Sequence, residues 1–124
     1  MAGGPINWLS KLQPIVAVSS MEAEYIACFF AIQDIVWIRQ LLKDLGLERT
    51  LPTGVHIDNK SARQLAENPV HHQRSKYHWI RDMVSSATVK LHDVHTDDQR
   101  ADFLTKTLRG DVFWRHVRAL MLVL

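Results

Sequence analysis

With 124 residues, 47% of them hydrophobic and 23% charged, the chain has the length and balance of one folded domain and lies outside the disordered class. Its formal charge of +2 permits contact with nucleic acid without requiring it. A single cysteine, Cys28, excludes an internal disulfide and fits a reducing compartment. The cleanest apolar run, Tyr25 to Ile32, is too short to span a bilayer, and Met1-Ala2-Gly3-Gly4-Pro5 lacks the basic-then-apolar pattern of a signal peptide.

In chain order, Ile6-Asn7-Trp8-Leu9 alternates after a Gly-Gly-Pro turn and predicts a short strand. Ile15 to Val18 reads as its continuation, broken by Pro14. A strong helix follows. Ser19 and Glu22 have the spacing of a capping box, and Gly46 stands where a helix C-terminus is expected. Cys28, Ala31, Ile35, Ile38, Leu42 and Leu45 recur at helical spacing, with a second stripe of Ile26, Phe30, Trp37 and Leu41 beside them. So wide an apolar face predicts a helix pressed against a sheet. Val55-His56-Ile57 reads as a strand and Ser61 to Glu67 as a short helix closed by Asn68-Pro69. His71 to Trp79 is basic and aromatic. Its residue types suit phosphate contacts and base stacking, as they would a solvated surface. These histidines lack zinc-finger spacing and cysteine partners. Val89 to Val94 alternates like a strand with one buried face. Asp97 or Asp98 is placed to cap a following helix in the segment Arg100 to Leu108, and the tail from Val112 to Leu124 has an amphipathic helical pattern.

Three acids are not fully accounted for by these elements. Glu22 belongs to the capping box, but steps of three and four from Glu24 reach Ala27, Cys28 and Ala31, on the apolar stripe. A buried carboxylate there needs a cation or a hydrogen-bond partner; an exposed first-turn glutamate favoured by the helix dipole is the other reading. Asp58 follows a strand at the end where ligands gather in open α/β sheets, although a helix cap is the commoner use of a lone aspartate. Asp102 sits between Ala101 and Phe103. Oxygen ligands of this kind are what a hard divalent cation such as Mg²⁺ requires.

Ser19-Ser20-Met21-Glu22-Ala23-Glu24-Tyr25-Ile26-Ala27 resembles the opening of the first helix in the ribonuclease H domain of copia-type retrotransposon polyproteins. Asp58-Asn59-Lys60-Ser61-Ala62, with Asn68-Pro69-Val70, is similar to that family's next block. Asp98-Gln99-Arg100-Ala101-Asp102-Phe103-Leu104-Thr105-Lys106 resembles its last. Gly3 to Trp8, with Ser10 to Gln13, fits the preceding strand. The blocks stand in family order over nearly the whole chain.

The resemblance implies an α/β, ribonuclease H-like fold with a mixed sheet flanked by helices. It implies a partial domain over residues 1–110 and a helical tail over 111–124. It assigns Glu24, Asp58 and Asp102 to the carboxylates that hold two Mg²⁺ ions, with Mn²⁺ as the alternative, around the scissile phosphate of RNA in an RNA–DNA hybrid. Asn59, Ser61, Arg74 and Lys76 would contact nucleic acid; His95 would assist product departure, with a plain surface histidine as the other reading, since its loop is shorter than in cellular ribonucleases H. The partners implied are the hybrid and the reverse transcriptase portion of the same polyprotein, without a membrane. The location implied is intracellular, in the cytoplasm within a virus-like particle or in the nucleus.

Two departures qualify this. The family pattern opens with two strands, the first bearing a further aspartate, and neither has a counterpart here, so the fold is expected to be incomplete. The stretch Lys76-Tyr77-His78-Trp79-Ile80-Arg81-Asp82 is also shorter than usual, which would change a helix's length or register. The isolated chain is therefore expected to be inactive. A degenerate remnant that at most binds nucleic acid, and a helical interaction module built on residues 21–45, are the alternative readings.

Overall fold

In a computed structural model, residues 5–10, 17, 19–67 and 75–121 are described, without the side chains of 62, 65–67, 75–77 and 121. The first helix, α1, spans Ser20–Asp44 and begins as its sequence dictates. Ser19, extended at φ −149°, accepts a hydrogen bond from the Glu22 amide at 3.1 Å. That satisfies one of the donors a helix N-terminus leaves without an intrahelical partner. At the other end Gly46 takes φ 72°, its amide donates to the Lys43 carbonyl at 2.9 Å, and the Leu47 amide donates to Leu42 at 2.7 Å. Only glycine enters that left-handed conformation without steric cost.

Two strands follow, β1 (Thr53–Ile57) and β2 (Val89–Asp93), joined through α2 (Lys60–Glu67) and α3 (Ser75–Ser85). They pair in parallel, Thr53 against Val89 through to Ile57 against Asp93. Alternation divides their side chains cleanly: Val55, Ile57, Val89 and Leu91 are buried, while Gly54, His56 and Lys90 are exposed. The buried side meets Tyr25, Cys28 and Ile32 of α1 and Ile80 of α3, forming the core. Arg39 ties α1 to the entry of β1, donating to the carbonyls of Arg49 (2.7 Å) and Leu51 (2.9 Å) and to the Thr53 hydroxyl (3.1 Å).

Beyond β2 the chain forms two 3₁₀ turns, Thr96–Asp98 and Arg100–Leu104, and then α4 (Gly110–Met121). The fold divides into two compact units, Val16–Val94 and a second that includes His95–Leu124.

Four expectations change. Residues 6–9 are not a strand. Ile6, Trp8 and Leu9 are more than half exposed, because alternation makes a strand only where a neighbour supplies the ladder. Residues 15, 16 and 18 of the expected continuation lie outside the described residues. The sheet described is two-stranded and parallel rather than mixed.

On α1 the inward side is Tyr25, Ile26, Cys28 and Ile32, whereas Ala31, Trp37, Leu41 and Leu45, expected in the stripes, are exposed. The helix is apolar enough, by length and composition, to cross a bilayer. Such a helix offers several faces to the sheet, and Tyr25, Cys28 and Ile32 are the ones the strands meet. Finally, neither Asp97 nor Asp98 caps a longer helix: both lie inside the first 3₁₀ turn, which His95 caps through Nδ1, accepting from the Asp97 amide at 3.3 Å.

Candidate functional site

The carboxyl ends of the two parallel strands form the first part of the candidate site. Asp58 follows Ile57 directly and is half-buried. Because α2 starts at Lys60, the N-cap position falls to Asn59, whose carbonyl accepts the first intrahelical bond from the Arg63 amide at 3.1 Å. The cap reading of Asp58 thus passes to its neighbour, and its carboxylate is left at the strand end. Beside it, Asp93 ends β2 in register with Ile57, and Arg63 of α2 reaches it at 3.1 Å. Sequence reasoning missed this pair. The alternating run ending in Asp93 was the available signal, but a partner on α2 is a tertiary fact.

Glu24 lies one turn before Cys28 on α1 and is half-buried. Its environment is reported by its neighbour: burial pushes the Cys28 thiol up to about 12, and the Glu24 carboxylate adds to the shift. Of the residues expected to touch nucleic acid, Asn59 is half-buried and Ser61 is exposed at the start of α2. Arg74 lies outside the described residues, and Lys76 is placed in α3 by its backbone alone.

In the second unit Asp102 is 8% exposed and, with His116 of α4, is one of two buried polar residues among those described. Its carboxylate accepts from the Lys106 ammonium at 2.8 Å. The turn around it is fixed by backbone bonds: the Asp102 amide donates to Gln99, while the Asp102 carbonyl accepts from Thr105 at 3.0 Å and Lys106 at 2.8 Å. His95 is exposed, with Nδ1 3.6 Å from an Asp97 carboxylate oxygen.

Glu24 and Asp58 thus belong to one unit and Asp102 to the other. Among the described residues, no group of three or more His, Cys, Asp or Glu side chains forms a metal-holding cluster. Taken residue by residue, the donor chemistry fits a hard divalent ion. All three positions offer carboxylate oxygen, each is withdrawn from full exposure, and the buried one is already neutralised by a cation, the Lys106 ammonium.

No protein-family model matches the chain, and no solved structure does. It is 39% identical over 117 residues to the retrovirus-related Pol polyprotein from transposon TNT 1-94 of Nicotiana tabacum, an alignment covering 90% of this chain and 9% of that protein. It is 42% and 41% identical over 114 residues to the Pol polyproteins from transposons RE1 and RE2 of Arabidopsis thaliana, covering 88% of this chain and 8% of each. The chain is thus homologous to a segment, under a tenth of the length, of the retrovirus-related Pol polyproteins of plant transposons.

Proposed function

We propose that the chain is the ribonuclease H part of a copia-type retrotransposon Pol polyprotein, a piece of the machinery that removes RNA from RNA–DNA hybrids. The similarity to Pol polyproteins over 88–90% of the chain carries this reading. It is supported by Asp58 at the carboxyl end of a parallel strand and by the half-buried Glu24 one turn from the core thiol. Glu24, Asp58 and Asp102 would hold the divalent ions, Mg²⁺ or Mn²⁺, which when bound supply an activated water and neutralise the leaving 3′ oxygen. The chain's own residues orient the substrate. Half-buried Asn59 and exposed Ser61, at the entry to α2, together with Arg74 and Lys76, engage phosphates and 2′-hydroxyls. His95, exposed at the cap of the first 3₁₀ turn, would accompany departing product. The protein acts inside the cell, in a particle or in the nucleus, alongside the reverse transcriptase portion of the polyprotein.

In this reading the 124 residues do not cut by themselves. Among the described residues the sheet has two strands and no three metal-ligating side chains form a group, and completion of the centre by the remainder of the polyprotein is part of this reading. A second reading, a helical interaction module, is favoured by one observation: Trp37 and Leu41 on α1 and Leu45 at its C-cap, each four residues apart, are all exposed.

Incubating the chain with a labelled RNA–DNA hybrid and Mg²⁺ is expected to give no product. The same chain joined to the Pol segment that precedes it in a relative is expected to cut, and Asp58→Asn to stop it. Cutting by the chain alone that Asp58→Asn abolishes would overturn the need for more polyprotein. No cutting by the joined protein would overturn the ribonuclease reading.

A further inference from the structure

Helix α4 divides its side chains between two sides. The inner side carries His116, 3% exposed, with Val112, Ala119 and Leu120 half-buried beside it. Phe113 packs against the Phe103 ring, 6.3 Å between centroids, and fastens the helix to the second 3₁₀ turn. Helical spacing puts Asp111, Trp114, Arg115 and Arg118 together on the opposite side, and all four are exposed. Asp111, the one acid of the helix, is already engaged: Arg109 donates to its carboxylate at 3.0 Å and holds its carboxyl below the ordinary range. Arg115 and Arg118 are left uncompensated, since neither has an acid partner among the described residues. Next to them stands Trp114, 58% exposed. An indole on the polar side of an amphipathic helix forgoes most of the burial that favours aromatic residues inside.

We propose that this side of α4 is a contact surface for single-stranded nucleic acid, with Trp114 stacking on an unpaired base and Arg115 and Arg118 holding the flanking phosphates. The charge favours a polyanion, because guanidinium groups without a countercharge are suited to bidentate bonds with phosphate. The indole favours a single strand over a duplex, because only an unstacked base offers its face to a flat side chain. Trp114 and Arg118 are four residues apart, and Arg115 and Arg118 three, so all three lie within one turn of helix. A base stacked on the indole therefore has both cations beside its own backbone. An anionic membrane would also attract the arginines, but it needs a broad apolar stripe, and the apolar side of α4 is turned toward its own 3₁₀ turn. None of Glu24, Asp58 and Asp102 takes part, so the surface stands or falls separately from the ribonuclease reading.

The test is the fluorescence anisotropy of a labelled oligodeoxythymidine strand titrated with the full chain, in EDTA so that no metal site contributes. Trp114→Ala is expected to weaken binding about tenfold, and Trp114→Phe, which keeps a stacking face, to recover part of the loss. Arg115→Gln combined with Arg118→Gln is expected to lower the slope of log affinity against log salt by about 1.4, the single-strand value for two phosphate contacts. A merely structural tryptophan would lower the unfolding midpoint of Trp114→Ala and leave strand binding unchanged, which overturns the proposal. Failure of the native chain to bind the strand does the same. Loss through the arginines alone reduces the surface to phosphate contact and overturns the stacking on an unpaired base. Trp114-dependent binding to phosphatidylserine vesicles but not to the strand would make this a lipid surface and overturn the assignment to nucleic acid.

Discussion

Asp58 and Asp102 carry the same side chain but owe their positions to different physics. Asp58 is placed by tertiary structure: β1 must pair with β2, and α1 and α3 must cover the pair, before the strand end exists as a location. Asp102 is held mainly by local bonds to Gln99, Thr105 and Lys106, with α4 packed on its turn through Phe103 and Phe113. The acid on the sheet is therefore as secure as the core beneath it, whereas the acid on the turn carries its support within a few residues.

The largest expected effect breaks that comparison from the core side. Ile32 and Ile80 are fully buried, so Ile32→Ala or Ile80→Ala should cost about 2–5 kcal/mol in urea unfolding. The environment of Asp58 should be lost together with the sheet, and the turn at Asp102 should outlast it, as followed by amide exchange. Loss of both at the same denaturant concentration would show the two regions to be one cooperative body.

Next come the acids themselves. Asp102→Asn gives up a charge-assisted bond and should cost about 1 kcal/mol. Asp58→Asn should stay within about 0.5 kcal/mol, because the strand positions Asp58 rather than depending on it. A larger penalty at Asp58 would reverse the argument. Cutting the cap with Ser19→Ala should likewise cost about 1 kcal/mol, read as a lower unfolding midpoint.

A smaller effect concerns Glu24 through Cys28. The thiol sits at about 12 in the folded protein, above its ordinary 9.0, so folding favours the protonated form. That contribution is complete below pH 9 and is lost as the pH rises toward 12. Native Cys28 should resist alkylation at pH 8 and react quickly in urea, and Glu24→Gln should bring its folded titration downward. Arg63→Ala, which removes a half-exposed ion pair with Asp93, should likewise cost less than about 1 kcal/mol.

What the sequence made legible follows the same division. Signals that act within a few residues read correctly: Ser19 and Gly46 bounded α1, and the alternations at Val55 and Ile57 and at Val89 and Leu91 marked both strands and their buried sides. Signals that need a distant partner did not. Residues 6–9 alternate but join no strand among the described residues, and α1 is apolar around so much of its circumference that spacing alone cannot choose its inward face. The segment from Arg100 onward has helical spacing but settles into 3₁₀ turns. For the candidate site, the peculiarity of Glu24, Asp58 and Asp102 was visible one by one. Arg63, Asp93 and Lys106, which surround two of them, were not.

The most direct test joins the isotopically labelled chain to the Pol segment that precedes it in a relative, adds Mn²⁺ and asks which amide resonances broaden. If three carboxylates share the ions, signals near residues 24, 58 and 102 should fade together at low Mn²⁺. Broadening near Asp97 and Asp98 instead, or near Asp102 with residues 24 and 58 untouched, would contradict a common centre.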